Sequence, residues 1–138
     1  MTFRDQITVV VGKCISRISR IFGFGAGATW PGEIALRLSP DILRPLVRQF
    51  THGVILVAGT NGKTTTSLML KTILHYEELR VVHNNSGANL LNGLISVCLR
   101  STDLFGQLHA DWGVFEVDEN SLPLILRYLT PKYIILLN

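Results

Sequence analysis

The sequence predicts an α/β protein: a parallel, doubly wound sheet of the phosphate-loop type, flanked by helices. Three observations carry this reading. Residues Gly53 to Thr66 (GVILVAGTNGKTTT) lead an apolar run of strand length through a turn of Gly, Thr and Asn into a helix-compatible segment that opens at Lys63. Further short apolar runs follow at Leu79–His83, Trp112–Val117 and Lys132–Leu137, with helix-compatible stretches between them. Strands that alternate with helices in this way imply right-handed crossovers and a sheet covered on both faces. Polar residues collect just after the strands, where open parallel sheets bind their ligands.

A chain of 138 residues with 47% hydrophobic and 17% charged residues can bury one sizeable core, which favours one α/β domain over two. The net charge is +3 and the pI about 9.1, yet the arginines are scattered and no lysine-rich run or RNA-binding aromatic motif appears, which argues against nucleic acid as a partner. Cys14 and Cys98 lie far apart and outside any C-x-x-C pair, so neither a disulfide scaffold nor a zinc site is indicated and a reducing cytoplasm is expected. No apolar segment reaches the roughly 18 residues needed to cross a bilayer. The first dozen residues hold an acidic residue and too short an apolar run for a secretory signal, so a soluble protein is expected.

Three segments follow in order. Residues 1–24 are expected to form an N-terminal amphipathic helix, because Ile7, Val10, Val11, Cys14, Ile15, Ile18, Ile21 and Phe22 recur at helical spacing while Lys13, Arg17 and Arg20 fall off the stripe. Docking on the domain or on a partner is the plainer reading of that stripe; a basic helix lying on an anionic membrane surface is the sharper one. Gly23 to Gly32 reads as a glycine-rich loop, and residues 25–52 hold the rest of that loop and then Ser39-Pro40-Asp41, which has the composition of a helix start for a helix through about Phe50. Residues 53–138 carry the nucleotide-type domain, in which a helix over Lys63–Tyr76 is expected to turn Leu70, Ile73 and Leu74 inward. The turn His83–Gly93 (HNNSGANLLNG) is followed by the apolar end of another helix at Leu94–Leu99. Ser101 to Ala110 is a surface connection, and Asn120 or Ser121 can cap a short helix with Pro123 in its first turn.

The chemistry gathers at the strand ends. A strand feeding a glycine-containing turn into a helix leaves backbone N–H groups without intrahelical partners, and these suit a phosphate. The helix dipole supplies only about half a positive charge, so Lys63 is expected to reach the β and γ phosphates and the Thr64 hydroxyl to sit on a bridging Mg²⁺. Val57 stands where the full Walker pattern has its first glycine, with Gly59 supplying the flexible turn. Glu116 sits between Phe115 and Val117 inside an apolar run, and a carboxylate there needs a cation partner; Mg²⁺ shared with Thr64 satisfies both. Asp118 and Glu119 read either as supporting acceptors or as exposed charges. Asn84, Asn85 and Asn89 read as turn formers or ligand contacts. His52, His75 and His109 lack metal spacing, and His83 gains interest from its position at a strand end.

GTNGKTTT, then HNNSGANLLNG, then FEVDE resemble the ATP-binding central domain of the Mur ligase family, and GATWPGEIALRLSPDIL is similar to the N-terminal sequence of its MurT-like branch. The resemblance spans about Gly25 to Asn138 and implies an incomplete central domain, since Mur ligases have three domains; a fragment or a truncated gene product is the expectation. It implies an ATP-dependent ligase that activates a carboxylate as an acyl phosphate for attack by an amine. In the MurT-like branch the carboxylate is the D-glutamate of the lipid-linked peptidoglycan precursor, and ammonia comes from a glutaminase subunit. By position, the resemblance implies that Gly59, Thr60, Asn61, Gly62, Lys63, Thr64 and Thr65 cradle the triphosphate. It likewise implies that Lys63 neutralises it, that Thr64 and Glu116 hold Mg²⁺, and that Asn89 lies near the γ-phosphate. The four-cysteine zinc ribbon often found in the branch has no counterpart here. Two alternatives stay open: a folylpolyglutamate synthase-like ligase sharing the loop, and a non-catalytic nucleotide-binding or partner-docking module.

Overall fold

A computed structural model describes residues 3–21, 29–84 and 88–138, with side chains described from Arg4 to Ser16 in the first stretch and throughout the others. Its elements run α1 (Phe3–Ile21), α2 (Trp30–Leu38), α3 (Leu43–Val47), β1 (Gly53–Gly59), α4 (Lys63–Tyr76), β2 (Val81–His83), α5 (Leu91–Ser101), β3 (Trp112–Val117), a 3₁₀ turn at Glu119–Ser121, α6 (Leu122–Ile125) and β4 (Tyr133–Leu137). The four strands form one sheet in the order β2-β3-β1-β4, and every pairing is parallel. β1 lies inside the sheet, and six of its seven residues are buried, as expected for a strand covered on both faces.

The two-residue period of β1 divides the protein into layers. Val54 and Leu56 join Phe115 and Val117 in a core with Ala35, Leu43, Leu46, Leu94, Ile95 and Leu99 from α2, α3 and α5. Phe50 meets Phe115 edge to face with ring centroids 6.0 Å apart, a favoured aromatic geometry. The alternate residues, Ile55 and Val57 on β1 and Val114 and Glu116 on β3, belong by the same period to the opposite face, against which α4 packs across β1, β2 and β3.

Four local expectations are corrected. α1 buries Asp5, Thr8, Val9, Gly12 and Ser16, whereas Ile7, Val10 and Cys14 of the expected inward stripe are exposed. The small residues permit closer approach: a Cβ at Gly12 would lie 2.9 Å from Leu99 Cδ1. Asp5 is satisfied by the Ser39 hydroxyl at 2.9 Å, and Thr8 by the Arg4 carbonyl at 2.9 Å. Ile18 and Ile21 have no described side chains, and Phe22 lies outside the described residues.

The glycine-rich loop expected through Gly32 ends earlier than that. Residues 22–28 lie outside the described set, but Trp30 already begins α2, with Pro31 in the first turn where its missing N–H costs nothing. Ser39 ends α2 instead of starting the next helix; its hydroxyl is taken by Asp5, and α3 begins only at Leu43. On α4, Leu70 and Leu74 are half-buried but Ile73 is 59% exposed. Ser67 is the buried residue that sets the phase of this helix, and Ile73 lies about 240° around the axis from it, at 100° per residue.

Candidate functional site

β1 stays in the sheet through Gly59, so Val57, fully buried and paired with Glu116, belongs to the strand and not to the loop. The turn is reduced to Thr60, Asn61 and Gly62. Gly59 and Gly62 take φ of 148° and 80°, and Gly62 caps α4 in the left-handed conformation that an L side chain resists. The N-cap, Gly62, has no side chain to bond this end of α4, so the first amides of a 14-residue helix face the space before the loop with the positive end of the helix dipole behind them.

The loop is closed on itself. Lys63 Nζ donates to the carbonyls of Gly59 and Thr60, and the Thr60 hydroxyl donates to Glu119 Oε1 at 2.9 Å. These are bonds of exposed or half-buried groups, and an anion at the amides would compete for the lysine. Asn61 and Thr65 are exposed.

Below the loop, β3 brings Glu116 against the first turn of α4. Glu116 as a whole is 3% exposed. Its Oε2 accepts from the Thr64 hydroxyl at 2.9 Å and its Oε1 from the Ser67 hydroxyl at 2.8 Å. His83 Nε2 lies 3.0 Å from Ser67 Oγ and 3.7 Å from Glu116 Oε1. Loss of hydration lowers the His83 pKa from its ordinary 6.5; the Glu116 charge opposes that shift and Lys71 adds to it.

Asn84 and Asn89 come to the same rim by different routes. The Asn84 side chain is fully buried and grips the main chain of Glu116: its Nδ2 donates to Glu116 O at 2.8 Å and its Oδ1 accepts from Glu116 N at 2.7 Å. A third bond, to Ala88 O at 2.8 Å, ties the turn to β3, so Asn84 holds backbone and leaves no free amide for a ligand. Asn89 accepts Asp118 N through its carbonyl at 3.1 Å. Asn85 lies outside the described residues. Among the other histidines, His52 stacks at a tilt on Trp112 and His109 contacts Asp103 at 3.2 Å.

The donor set fits a hard divalent cation with few protein ligands. Thr64 and Glu116 offer two oxygens on one side, and among the described residues no group of three or more His, Cys, Asp or Glu gathers to form a complete cage. A Mg²⁺ ion, which keeps several waters and uses few protein ligands, would fit such a pair of oxygens. Ser67 was not singled out from the sequence; its spacing of three from Thr64 puts both hydroxyls on one helix face and was the available signal.

Comparison with known proteins agrees with this architecture. No family model matches the chain. The lipid II isoglutaminyl synthase (glutamine-hydrolyzing) subunit MurT of Staphylococcus aureus (strain COL) is 33% identical over 135 residues, covering 98% of this chain and 30% of that protein. The subunit of the same name from Streptococcus pneumoniae (strain ATCC BAA-255 / R6) is 34% identical over 114 residues, 83% of this chain and 25% of its own length. The chain thus spans about a third or less of the curated relatives it matches. A crystal structure of MurF from Acinetobacter baumannii shares the fold, with a TM-score of 0.58 at 23% identity over 76% of this chain and 22% of that one. In sequence the chain is thus similar to MurT subunits over most of its own length, and in fold it is similar to MurF.

Proposed function

We propose that this chain carries the nucleotide-activating part of an ATP-dependent amide ligase that modifies a lipid-linked peptidoglycan precursor. Residues 53–138 form the partial ATP-binding domain in this reading, residues 25–52 the loop and helices before it, and residues 1–24 an N-terminal helix. The observation that carries the proposal is the Thr64 to Glu116 contact of 2.9 Å beside a helix N-terminus whose N-cap, Gly62, brings no side chain to its amides. A phosphate and a divalent cation are the two ligands that such a pair of features serves together.

In this reading the amides of Gly59 to Thr65 cradle the triphosphate, and Lys63 gives up the Gly59 and Thr60 carbonyls to meet it. Thr64 and Glu116 hold Mg²⁺, which when bound offsets charge on the phosphate oxygens. Asn89, tied to Asp118, borders the γ-phosphate position. The ligase would use the bound nucleotide to activate a D-glutamate carboxylate for amidation. The relatives' names, which specify a glutamine-hydrolysing enzyme with a MurT subunit, support ammonia from a glutaminase partner over a folate-type acceptor. A cytoplasmic location follows from that substrate and ATP. Titration calorimetry tests the site: ATP should bind with Mg²⁺ dependence, and Lys63→Ala should weaken it about tenfold or more. Unchanged affinity in that variant would remove the phosphate-loop assignment.

Peripheral membrane contact suits a lipid-linked substrate, and α1 supports it. Ile7 and Val10 are 48% and 45% exposed. Residues 1–52 carry seven Lys or Arg against three Asp or Glu, while residues 53–138 carry six against seven. An apolar stripe on the positively charged part of the chain matches an anionic lipid surface. The chain should co-sediment with phosphatidylglycerol vesicles and not with phosphatidylcholine, and Ile7→Glu with Val10→Glu should abolish this; equal sedimentation of the double variant removes the helix from the contact.

A further inference from the structure

The Ser67 hydroxyl stands at the centre of a chain of groups that the phosphate-loop motif does not include. It is fully buried and has three neighbours: Glu116 Oε1 at 2.8 Å, His83 Nε2 at 3.0 Å and the Thr64 carbonyl at 3.1 Å. A hydroxyl has one proton and two lone pairs. The carboxylate and the carbonyl are both acceptors, so they compete for that proton. The shorter bond to a carboxylate is the stronger kind, which gives the proton to Glu116. Ser67 then has nothing left to donate to His83, and the contact at 3.0 Å is a hydrogen bond only if Nε2 carries the imidazole proton and donates it to Ser67. The direction of the chain is therefore His83 to Ser67 to Glu116.

The second oxygen of Glu116 is treated differently. Oε2 faces the Thr64 hydroxyl at 2.9 Å, and Thr64 lies at the exposed mouth of the site while Ser67 is buried one turn further along α4. One helical turn thus supplies a hydroxyl to each carboxylate oxygen, an outer one and an inner one. Only the outer oxygen lies beside the loop. Both the His83 and Glu116 side chains are 4% exposed, so water does not offer Oε1 a substitute donor.

We propose that Ser67 and His83 are positioning residues for Glu116: they hold Oε1 so that Oε2 alone is presented, with Thr64, to a divalent cation at the phosphate loop. The proposal rests on the cation site described under the proposed function. A cation held there would draw on a lone pair of the Thr64 hydroxyl and on Oε2, and the bonds of Ser67 to Oε1 and of His83 to Ser67 would not need to change. The carboxylate keeps one orientation in both states, and its ordering is done before the ligand arrives.

The test measures metal binding by the 138-residue chain, with Mn²⁺ followed by electron paramagnetic resonance in the presence of ADP, and ADP affinity measured separately in EDTA. Ser67→Ala should weaken Mn²⁺ by about 10–100-fold, the usual effect of losing a group that orients a metal ligand, and leave ADP affinity in EDTA unchanged. His83→Gln, whose amide N–H can replace Nε2–H, should stay within about threefold of the parent, and His83→Phe should weaken Mn²⁺ as Ser67→Ala does. If Ser67→Ala does not fold, the His83→Gln and His83→Phe pair makes the same comparison. Parental Mn²⁺ affinity in Ser67→Ala or His83→Phe, with Glu116→Gln weakened, would overturn the positioning role and leave the cation site standing. Parental affinity in Glu116→Gln would overturn the cation site and the positioning role together.

Discussion

Thr64 Oγ1 donates to Glu116 Oε2 across 2.9 Å, joining residues 52 positions apart in the chain. Neither side chain makes this contact through local sequence. The contact exists because β1 and β3 pair in a register that sets Val57 beside Glu116, and because α4 leaves β1 through a turn of only three residues and returns over the same face.

Removing the hydroxyl at this contact while keeping its shape tests what the contact is for. Thr64→Val should leave the fold intact, because residue 64 is exposed, and should reduce nucleotide affinity in Mg²⁺ to about the value measured in EDTA. A Thr64→Val protein with full Mg²⁺ enhancement in titration calorimetry would contradict the assignment of that oxygen.

His83 makes stability depend on pH with a defined sign. Its folded pKa lies below the ordinary 6.5 because burial disfavours the imidazolium. Between those two values the unfolded chain holds more protons, so unfolding free energy rises with pH across the window. Stability from this group is complete above about pH 6.5 and is lost as pH falls through the folded value. Urea unfolding at about pH 7.5 and about pH 5.5 should show the parent losing more stability on acidification than His83→Gln, which does not titrate there. An equal loss in the two proteins would refute the expectation.

The two thiols should differ sharply in reactivity. Burial pushes the Cys98 thiol up to about 12, whereas Cys14 is exposed. Iodoacetamide at about pH 8 reacts with thiolate, so the native protein should take one label, at Cys14, and a second only after denaturation. Mass spectrometry of the tryptic peptides checks the position, and rapid native labelling of Cys98 would count against its burial.

Asn84 should be a stability residue with an effect larger than its size. Asn84→Ala leaves Glu116 N, Glu116 O and Ala88 O without their partners, and stranding buried backbone groups should cost on the order of 3 kcal/mol. Urea denaturation measures this directly; a loss below about 1 kcal/mol would mean that water or a shifted backbone replaces the amide.

Much of the architecture was legible along the chain, and the reason is periodicity. The four strands are parallel, and their positions match the apolar runs at Gly53, Leu79, Trp112 and Lys132 to within two residues at the start and one at the end. The runs are continuous because a sheet covered on both faces needs no alternation. Lys63 and Thr64 were legible as candidates from their places in a glycine-containing strand–turn–helix, and Glu116 because a carboxylate inside an apolar strand is costly.

The helices were less legible, because which face a helix buries depends on what it meets. In α1 a seam of Asp5, Thr8, Val9, Gly12 and Ser16 is buried in place of the apolar stripe, since small residues allow an approach to Leu99 that isoleucines would block, and Ser39 satisfies the aspartate. Ser39 looked like a helix start for the same reason it ends one: its hydroxyl needs a partner, and the partner is 34 residues away.

Residue type and local order were therefore enough to specify the parallel α/β class, the strand–turn–helix at Gly53–Tyr76 and the chemical character of its rim. Tertiary packing alone decided that Ser67 and His83 stand behind Glu116, that Asn84 grips the backbone beside it, and that α1 turns Ile7 and Val10 outward. Strand identity depends on short-range pattern, whereas hydrogen-bond partners and buried helix faces depend on groups brought together from distant parts of the chain.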